Sequence, residues 1–435
     1  MIAVTSLFLL ASGVLAAPEQ RSSAPTELHE YLSKPDASAS WKIEAQAERR
    51  TTIDLTSQTW QGIPWRHKVV LIEPTEVQAK GTAVLYITGG DLDERDIREM
   101  TLVANITGMP VAILFNIPNQ PLFDMKEDDL IAHTFEKYLA TKDANWPLLF
   151  PMTKSALRSM DALVDTQKAS SNPIQKFIVT GASKRGWTTW LVGASGDKRI
   201  AGIAPMVIDN LNVVQQMPHQ LEIWGAYSDM IQDYTRRGLQ AKLDTPDGKK
   251  LAAMVDPYSY RQAIVAPTLI VNGANDPYWA TDATQFYWDD LRQPKWLLTV
   301  PNAGHDLGNK IQAIESIGAF ARSLGGGKPL PTLRWTVERN SVTFRVQGEG
   351  LERLTVWIAT SESMDFRKSN WQRAVSEPIS PSTDRKPGGI RLAFAPPTDK
   401  NFALMGEMRF RDGLRGFSFS TETRLFRGGG QSSRN

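Results

Sequence analysis

Two regimes of hydrophobic patterning divide this chain. As far as about residue 324, short continuous apolar runs alternate with stretches of helical period. Beyond residue 331, apolar and polar residues alternate one by one. The continuous runs are Thr82 to Ile87, Met109 to Ile117, Phe177 to Thr180, Ile200 to Ile208, Thr268 to Val271 and Trp296 to Val300. Helical stretches lie between them, at about 94–106, 126–139, 153–168 and 281–291, with a closing helix that ends near Leu324. In the third, Ala156, Met160, Leu163 and Val164 share one face. Runs without alternation, spaced by helices, predict a parallel sheet buried on both faces. Ahead of them, 51–60 and 66–73 flank the turn signal Gln61 to Pro64 and predict a hairpin.

Between about 210 and 262 the strand pattern stops, and Trp224, Tyr227, Tyr234, Tyr258 and Tyr260 fall in a helical segment. Its place between two sheet strands predicts a cap over the substrate side, with a plain helical packing layer as the alternative. Gly325 to Pro331 is a linker by composition. The alternating strands after it predict a small antiparallel sandwich of immunoglobulin-like size. The expected architecture is an α/β-hydrolase fold over 40–324 with a cap at about 210–262, a linker at 325–331, a β-sandwich at 332–427, and a disordered tail at 428–435. The segment from Pro18 to about Ser40 reads as a polar leader.

Residues 2–17 are almost wholly apolar or small and end in Val14-Leu-Ala-Ala17, a small-residue cleavage pattern. The run is short for a membrane span and predicts a signal peptide over 1–17, hence a secreted or periplasmic protein. No Lys or Arg precedes it, which keeps a short membrane anchor as the alternative. No other apolar run is long enough to cross a bilayer. The net charge of +2, with both signs interspersed, gives no reason to expect a nucleic-acid partner. The chain has no cysteine, which excludes a thiol nucleophile, thiolate zinc sites and disulfides. It leaves the compartment open.

Chemistry concentrates at Gly181-Ala-Ser-Lys-Arg-Gly186, where an apolar strand meets a turn and then a helix. That is the layout of a nucleophile elbow, except that Arg185 stands where G-x-S-x-G has glycine. The alternative for Ser183 is a helix N-cap. A serine nucleophile needs a base and an acid that orients it, in the chain order Ser, Asp, His for this fold. Asp276 follows an apolar strand, and His305 follows the last strand, just before the closing helix. Of the other four histidines, His29 falls in the leader, His67 in the hairpin, and His133 and His219 in helical segments. Asp209, which ends the strand after the elbow, is the rival acid. Oxyanion donors are expected from the Lys184 N–H and from the backbone at Gly89 and Gly90. The Lys184 ammonium is a further candidate for the oxyanion or for an acidic substrate group. Trp187, Trp224, Tyr278 and Trp279 are candidate pocket walls. No cofactor or metal is required.

The elbow, together with Trp146 to Ser155 and Trp224-Gly-Ala-Tyr-Ser228, resembles the PhoPQ-activated pathogenicity-related proteins, which include the autocrine proliferation repressors. The resemblance extends over the mature chain, sandwich included. It implies a secreted or periplasmic α/β-hydrolase-like protein of undefined substrate. The elbow is also locally similar to that of glucuronoyl esterases, G-x-S-R-x-G, which shares the displaced glycine. There the basic residue after the serine assists the oxyanion, and Lys184 occupies that place here. The expected activity is that of a serine esterase or amidase acting on a small-molecule, glycan- or peptide-derived acyl substrate. The alternative is a non-catalytic secreted signalling or binding protein on the same scaffold.

Overall fold

The apolar runs pair into one nine-stranded sheet in a computed structural model that describes residues 24–379 and 388–430. The expected signal peptide and residues 431–435 lie outside the described residues. Residues 428–430 form a short turn in which the Gly428 N–H donates to Asn401 Oδ1. Before the sheet, α1 (Glu27–Ser33) occupies part of the expected polar leader. It holds His29 and buries Leu28 and Tyr31 in the core. Strands β1 (Ser40–Ala47), β2 (Arg50–Trp60) and β3 (Ile63–Ile72) form an antiparallel edge, with the predicted turn between the last two. Then follow β4 (Thr82–Ile87), α2 (Glu94–Thr107), β5 (Val111–Leu114), α3 (Glu127–Thr141), α4 (Leu149–Gln167), β6 (Lys176–Ala182), α5 (Lys184–Ala194) and β7 (Ile200–Met206). Strand β5 is shorter than its apolar run because Pro110 precedes it and Asn116, at φ +58°, ends it.

Strand order is β1-β2-β3-β5-β4-β6-β7-β8-β9, parallel from β5 onward, with β8 (Thr268–Gly273) and β9 (Lys295–Val300) at the far edge. Residues on β6 alternate between two cores. Phe177 and Val179 enter the one shared with α4 and α5, while Ile178 enters the one shared with α2 and α10 (Ile311–Leu324). Between β7 and β8 stands the helical segment expected as a cap: α6 (Val213–Trp224), α7 (Gln232–Thr235), α8 (Leu239–Lys242) and α9 (Pro246–Val255). The helix expected at 281–291 is instead two 3-10 turns, Ala283–Phe286 and Trp288–Asp290. They are separated by Tyr287, whose φ of −148° cannot continue a helix.

The C-terminal strands form two antiparallel sheets. One joins β10 (Thr332–Glu338), β11 (Ser341–Gln347) and β14 (Ile390–Ala393). The other joins β12 (Leu351–Ser361), β13 (Gln372–Pro378), β15 (Asn401–Asp412), β16 (Arg415–Ser420) and β17 (Arg424–Phe426). They meet at Phe344, whose ring leaves no room on the facing strand: a Cβ at Gly406 would lie 2.5 Å from its Cε1. The larger sheet also packs on the core of the nine-stranded sheet. Ser316 Oγ donates to the Ser418 carbonyl at 2.9 Å, and the Thr299 N–H donates to Ser420 Oγ at 2.8 Å.

Candidate active site

Ser183 lies between β6 and α5 with φ +57° and ψ −126°, a conformation that residues with a Cβ rarely adopt. Its side chain makes no capping hydrogen bond, so the N-cap alternative is not what the backbone turn serves. The two glycines of the motif explain how so sharp a turn fits. A Cβ on Gly181 would lie 2.9 Å from both Cβ and the carbonyl oxygen of Arg185. One on Gly186 would lie 2.7 Å from both Ile208 Cγ2 and the Met206 carbonyl. The second glycine is needed where α5 touches the end of β7, one residue later than G-x-S-x-G places it.

Arg185, the off-pattern residue, ties the elbow to its surroundings. Its Nε donates to the Ile117 carbonyl at 2.5 Å, and its two terminal nitrogens grip Glu127 at 2.7 and 2.6 Å. The guanidinium lies against Gly89, where a Cβ would come within 1.7 Å of it. Gln120 closes the ring, donating to Glu127 and to the Gly89 carbonyl, and receiving the Glu127 N–H. Burial opposes ionisation of Glu127, but Arg185, with Lys184 and Gln120, holds its carboxyl down at about 2. The elbow and the Gly89–Gly90 loop are thus one braced unit. Among the described residues, the Gly89 and Gly90 N–H groups donate to no protein acceptor. Neither does the Lys184 N–H, at the first position of α5, where a helix leaves it free.

The Lys184 side chain is less available than the sequence suggests. Its Nζ lies 2.9 Å from Asp128 and 3.2 Å from Glu127, on the first turn of α3. Burial disfavours the ammonium, yet the two carboxylates more than compensate and raise its pKa. An ammonium already matched by two carboxylates offers little net charge to an acidic substrate.

Asp276 and His305, 29 residues apart, come together at the carboxyl ends of β8 and β9. His305 Nδ1–H donates to Asp276 Oδ2 at 2.8 Å, and the Tyr278 N–H occupies Asp276 Oδ1 at 2.9 Å. Tyr278 stacks on the imidazole, with centroids 4.2 Å apart. Among the described residues, His305 Nε2 is buried with no protein partner, and no hydrogen bond joins it to Ser183 Oγ. Such bonds are often long until substrate arrives. Asp209 faces elsewhere, accepting from the Tyr287 hydroxyl and from Thr284 Oγ1. Burial pushes its carboxyl up to about 7 against those bonds, and the Asp276 charge adds to the rise.

Two residues that sequence reasoning passed over hold these loops. Asn275 Nδ2 donates to the Ser369 carbonyl at 2.7 Å. Asn302 pairs with Trp371, Nδ2 to the carbonyl at 2.9 Å and Oδ1 from the N–H at 2.7 Å. The loop between β12 and β13 therefore braces both the Asp276 and the His305 loops. Only the asparagines' positions beside Asp276 and His305 hinted at this. Two of the other histidines are committed elsewhere: His67 is buried between Ser57 and the Asn116 carbonyl and held down at about 4 by burial, and His219 pairs with Asp282 at 2.9 Å. Of the expected pocket walls, Trp187 and Trp279 line a cavity under the cap, while Trp224 lies beneath the Arg367 guanidinium, 4.0 Å from it.

A mainly parallel sheet with an elbow after β6 and loops bearing Asp276 and His305 after β8 and β9 has the α/β-hydrolase fold. The crystal structure of acetyl xylan esterase 1 from Thermoanaerobacterium sp. JW/SL YS485 superposes with a TM-score of 0.50 at 13% identity, covering 69% of this chain and 95% of that one. The chain belongs to the PhoPQ-activated pathogenicity-related protein family, whose model matches residues 28–367. The match thus enters the C-terminal sheets but stops short of their last strands. Autocrine proliferation repressor protein A of Dictyostelium discoideum is 34% identical over 377 residues, 79% of this chain and 76% of that protein. Among the described residues, no helix is long and apolar enough to cross a membrane.

Proposed function

We propose that the chain is a secreted or periplasmic serine hydrolase that cleaves an ester or amide. The observation that carries the reading is the backbone at Ser183. A side chain on a strained strand-to-helix turn, with no hydrogen bond of its own, is presented rather than packed. Ser183 Oγ attacks the acyl carbon while His305 Nε2 takes its proton. Asp276 fixes the tautomer that leaves Nε2 free to accept and stabilises the imidazolium that forms. The N–H of Lys184 and those of the Gly89–Gly90 loop receive the oxyanion. The C–O or C–N bond then breaks, and His305 protonates the leaving group. Water, deprotonated by His305, releases the acid and restores Ser183.

The name of the Dictyostelium relative favours a second reading, a secreted signal on a hydrolase scaffold. A fluorophosphonate probe separates the two. Stoichiometric labelling of the purified protein, lost in Ser183→Ala, supports the hydrolase. Absence of labelling in folded protein refutes it.

A further inference from the structure

Beneath the cap lies a cavity of about 110 Å³ whose walls are contributed by Phe135, Met217, Leu251 and Val255 together with Trp187 and Trp279. Three of its wall residues are tied to the elements that carry the candidate site. Trp187 stands one helical turn after Ser183, its N–H bonded to the Ser183 carbonyl at 2.9 Å. Trp279 belongs to the loop of Asp276. Tyr234, also on the wall, sends its hydroxyl to Asp128 at 2.9 Å, the carboxylate that holds Lys184. The indole of Trp187 is pinned by its Nε1–H to the Val255 carbonyl at 2.6 Å, so the wall between elbow and cap is fixed rather than loose.

We infer that this cavity receives the apolar acyl chain of the substrate, so that the enzyme prefers medium-chain over acetyl esters. The inference rests on the Ser183 nucleophile proposed above and adds the substrate class. An apolar hollow of this size is filled most favourably by hydrocarbon, because its walls offer water few hydrogen bonds. At about 10–15 Å³ for each water-sized group, it has room for roughly seven to eleven such groups. The charge balance agrees: Lys184 is matched by Glu127 and Asp128, so among the described residues the elbow's cations are already paired and do not select an anionic acyl group. Asn210, next to Asp209, lines the same cavity with Oδ1 buried and unpartnered, a place for one hydroxyl or amide N–H on an otherwise apolar chain.

The test is kcat/KM for p-nitrophenyl acetate, butyrate, hexanoate and octanoate, with fluorophosphonate labelling in parallel. Each methylene taken into the cavity raises kcat/KM by up to about fourfold. Ala252→Phe, which fills the cavity from α9, lowers the octanoate-to-acetate ratio by roughly tenfold or more. Leu251→Ala, which enlarges it, moves the optimum to longer chains. Labelling with a flat chain-length profile, or with a ratio indifferent to both variants, overturns the acyl assignment and leaves the nucleophile standing. A separate readout needs no turnover: octanamide carrying a terminal bromine, titrated into Ser183→Ala protein, quenches tryptophan fluorescence, and Ala252→Phe abolishes the quenching. No quenching in Ser183→Ala overturns the inference whether or not the protein is a hydrolase.

Discussion

Replacing Ser183 by glycine should make the protein more stable than replacing it by alanine, the reverse of what glycine does at most positions. The reason is the backbone at φ +57°, ψ −126°. Holding a residue with a Cβ there costs about 1–3 kcal/mol. Alanine keeps the Cβ and the strain. Because the Ser183 hydroxyl makes no capping bond, Ser183→Ala should lie within about 0.5 kcal/mol of the parent. Glycine removes the strain and gives back about 0.4–1 kcal/mol through the greater entropy of its unfolded chain. The expected net gain over alanine is about 1 kcal/mol. Urea unfolding of both variants at equal m reads the difference as a later midpoint for glycine, while both lose fluorophosphonate labelling. If the glycine variant is no more stable than the alanine variant, the elbow is unstrained and the argument for a presented nucleophile loses its physical basis.

Asp276→Asn should lower kcat by up to about 10⁴-fold with little change in KM, because the amide favours the wrong tautomer of His305. An equal loss in Asp209→Asn alone would move the acid to the other strand end. Asp209→Asn should instead alter pH-dependent stability. The folded carboxyl titrates at about 7 against about 3.9 unfolded, so the folded chain holds the extra proton between those values. Its contribution is complete below about pH 4 and is lost as pH rises through about 7. Relative to the parent, the variant should therefore be more favourable at pH 8 than at pH 5 in urea unfolding, and an identical difference at both would refute the assignment. Gly186→Ala should destabilise by about 1–3 kcal/mol, because its Cβ meets the Met206 carbonyl as well as Ile208. An unchanged melting midpoint would show that the helix–strand contact yields. Asn302→Ala should reduce kcat while leaving KM and fluorophosphonate binding capacity in place, since it frees the His305 loop from Trp371. A change confined to KM would contradict that role.

The sheet was legible because its parallel strands are buried on both faces and so carry unbroken apolar runs; β5 and β8 are buried at every residue. Element boundaries were less so where tertiary contacts outweigh local pattern. Pro151 obscures the start of α4, although a proline in the first turn displaces no intrahelical bond. Tyr287 sits in a helical pattern but leaves helical geometry to place its hydroxyl on the buried Asp209 carboxyl. At the candidate site, the strand ends placed Asp276 and His305, which the structure brings within hydrogen-bond distance. The residues that position them were not legible, because Arg185 meets Glu127 across 58 residues and Asn302 meets Trp371 across 69. No periodicity encodes such a pairing.

The features hardest to see in the sequence also bear most on whether the scaffold still reacts. A protein that uses this fold only as a surface for a partner gains nothing from a strained residue at 183. Nor does it gain from an imidazole whose Nε2 has no protein partner among the described residues. Both are held in place by dedicated contacts: Arg185 and Glu127 at the elbow, Asp276 and Tyr278 at the imidazole, Asn275 and Asn302 at the loops. Random drift away from catalysis would be expected to relax the strain first, since a glycine at 183 or a new partner for Nε2 each stabilises the fold. Their joint presence supports the hydrolase proposed above, which fluorophosphonate labelling tests.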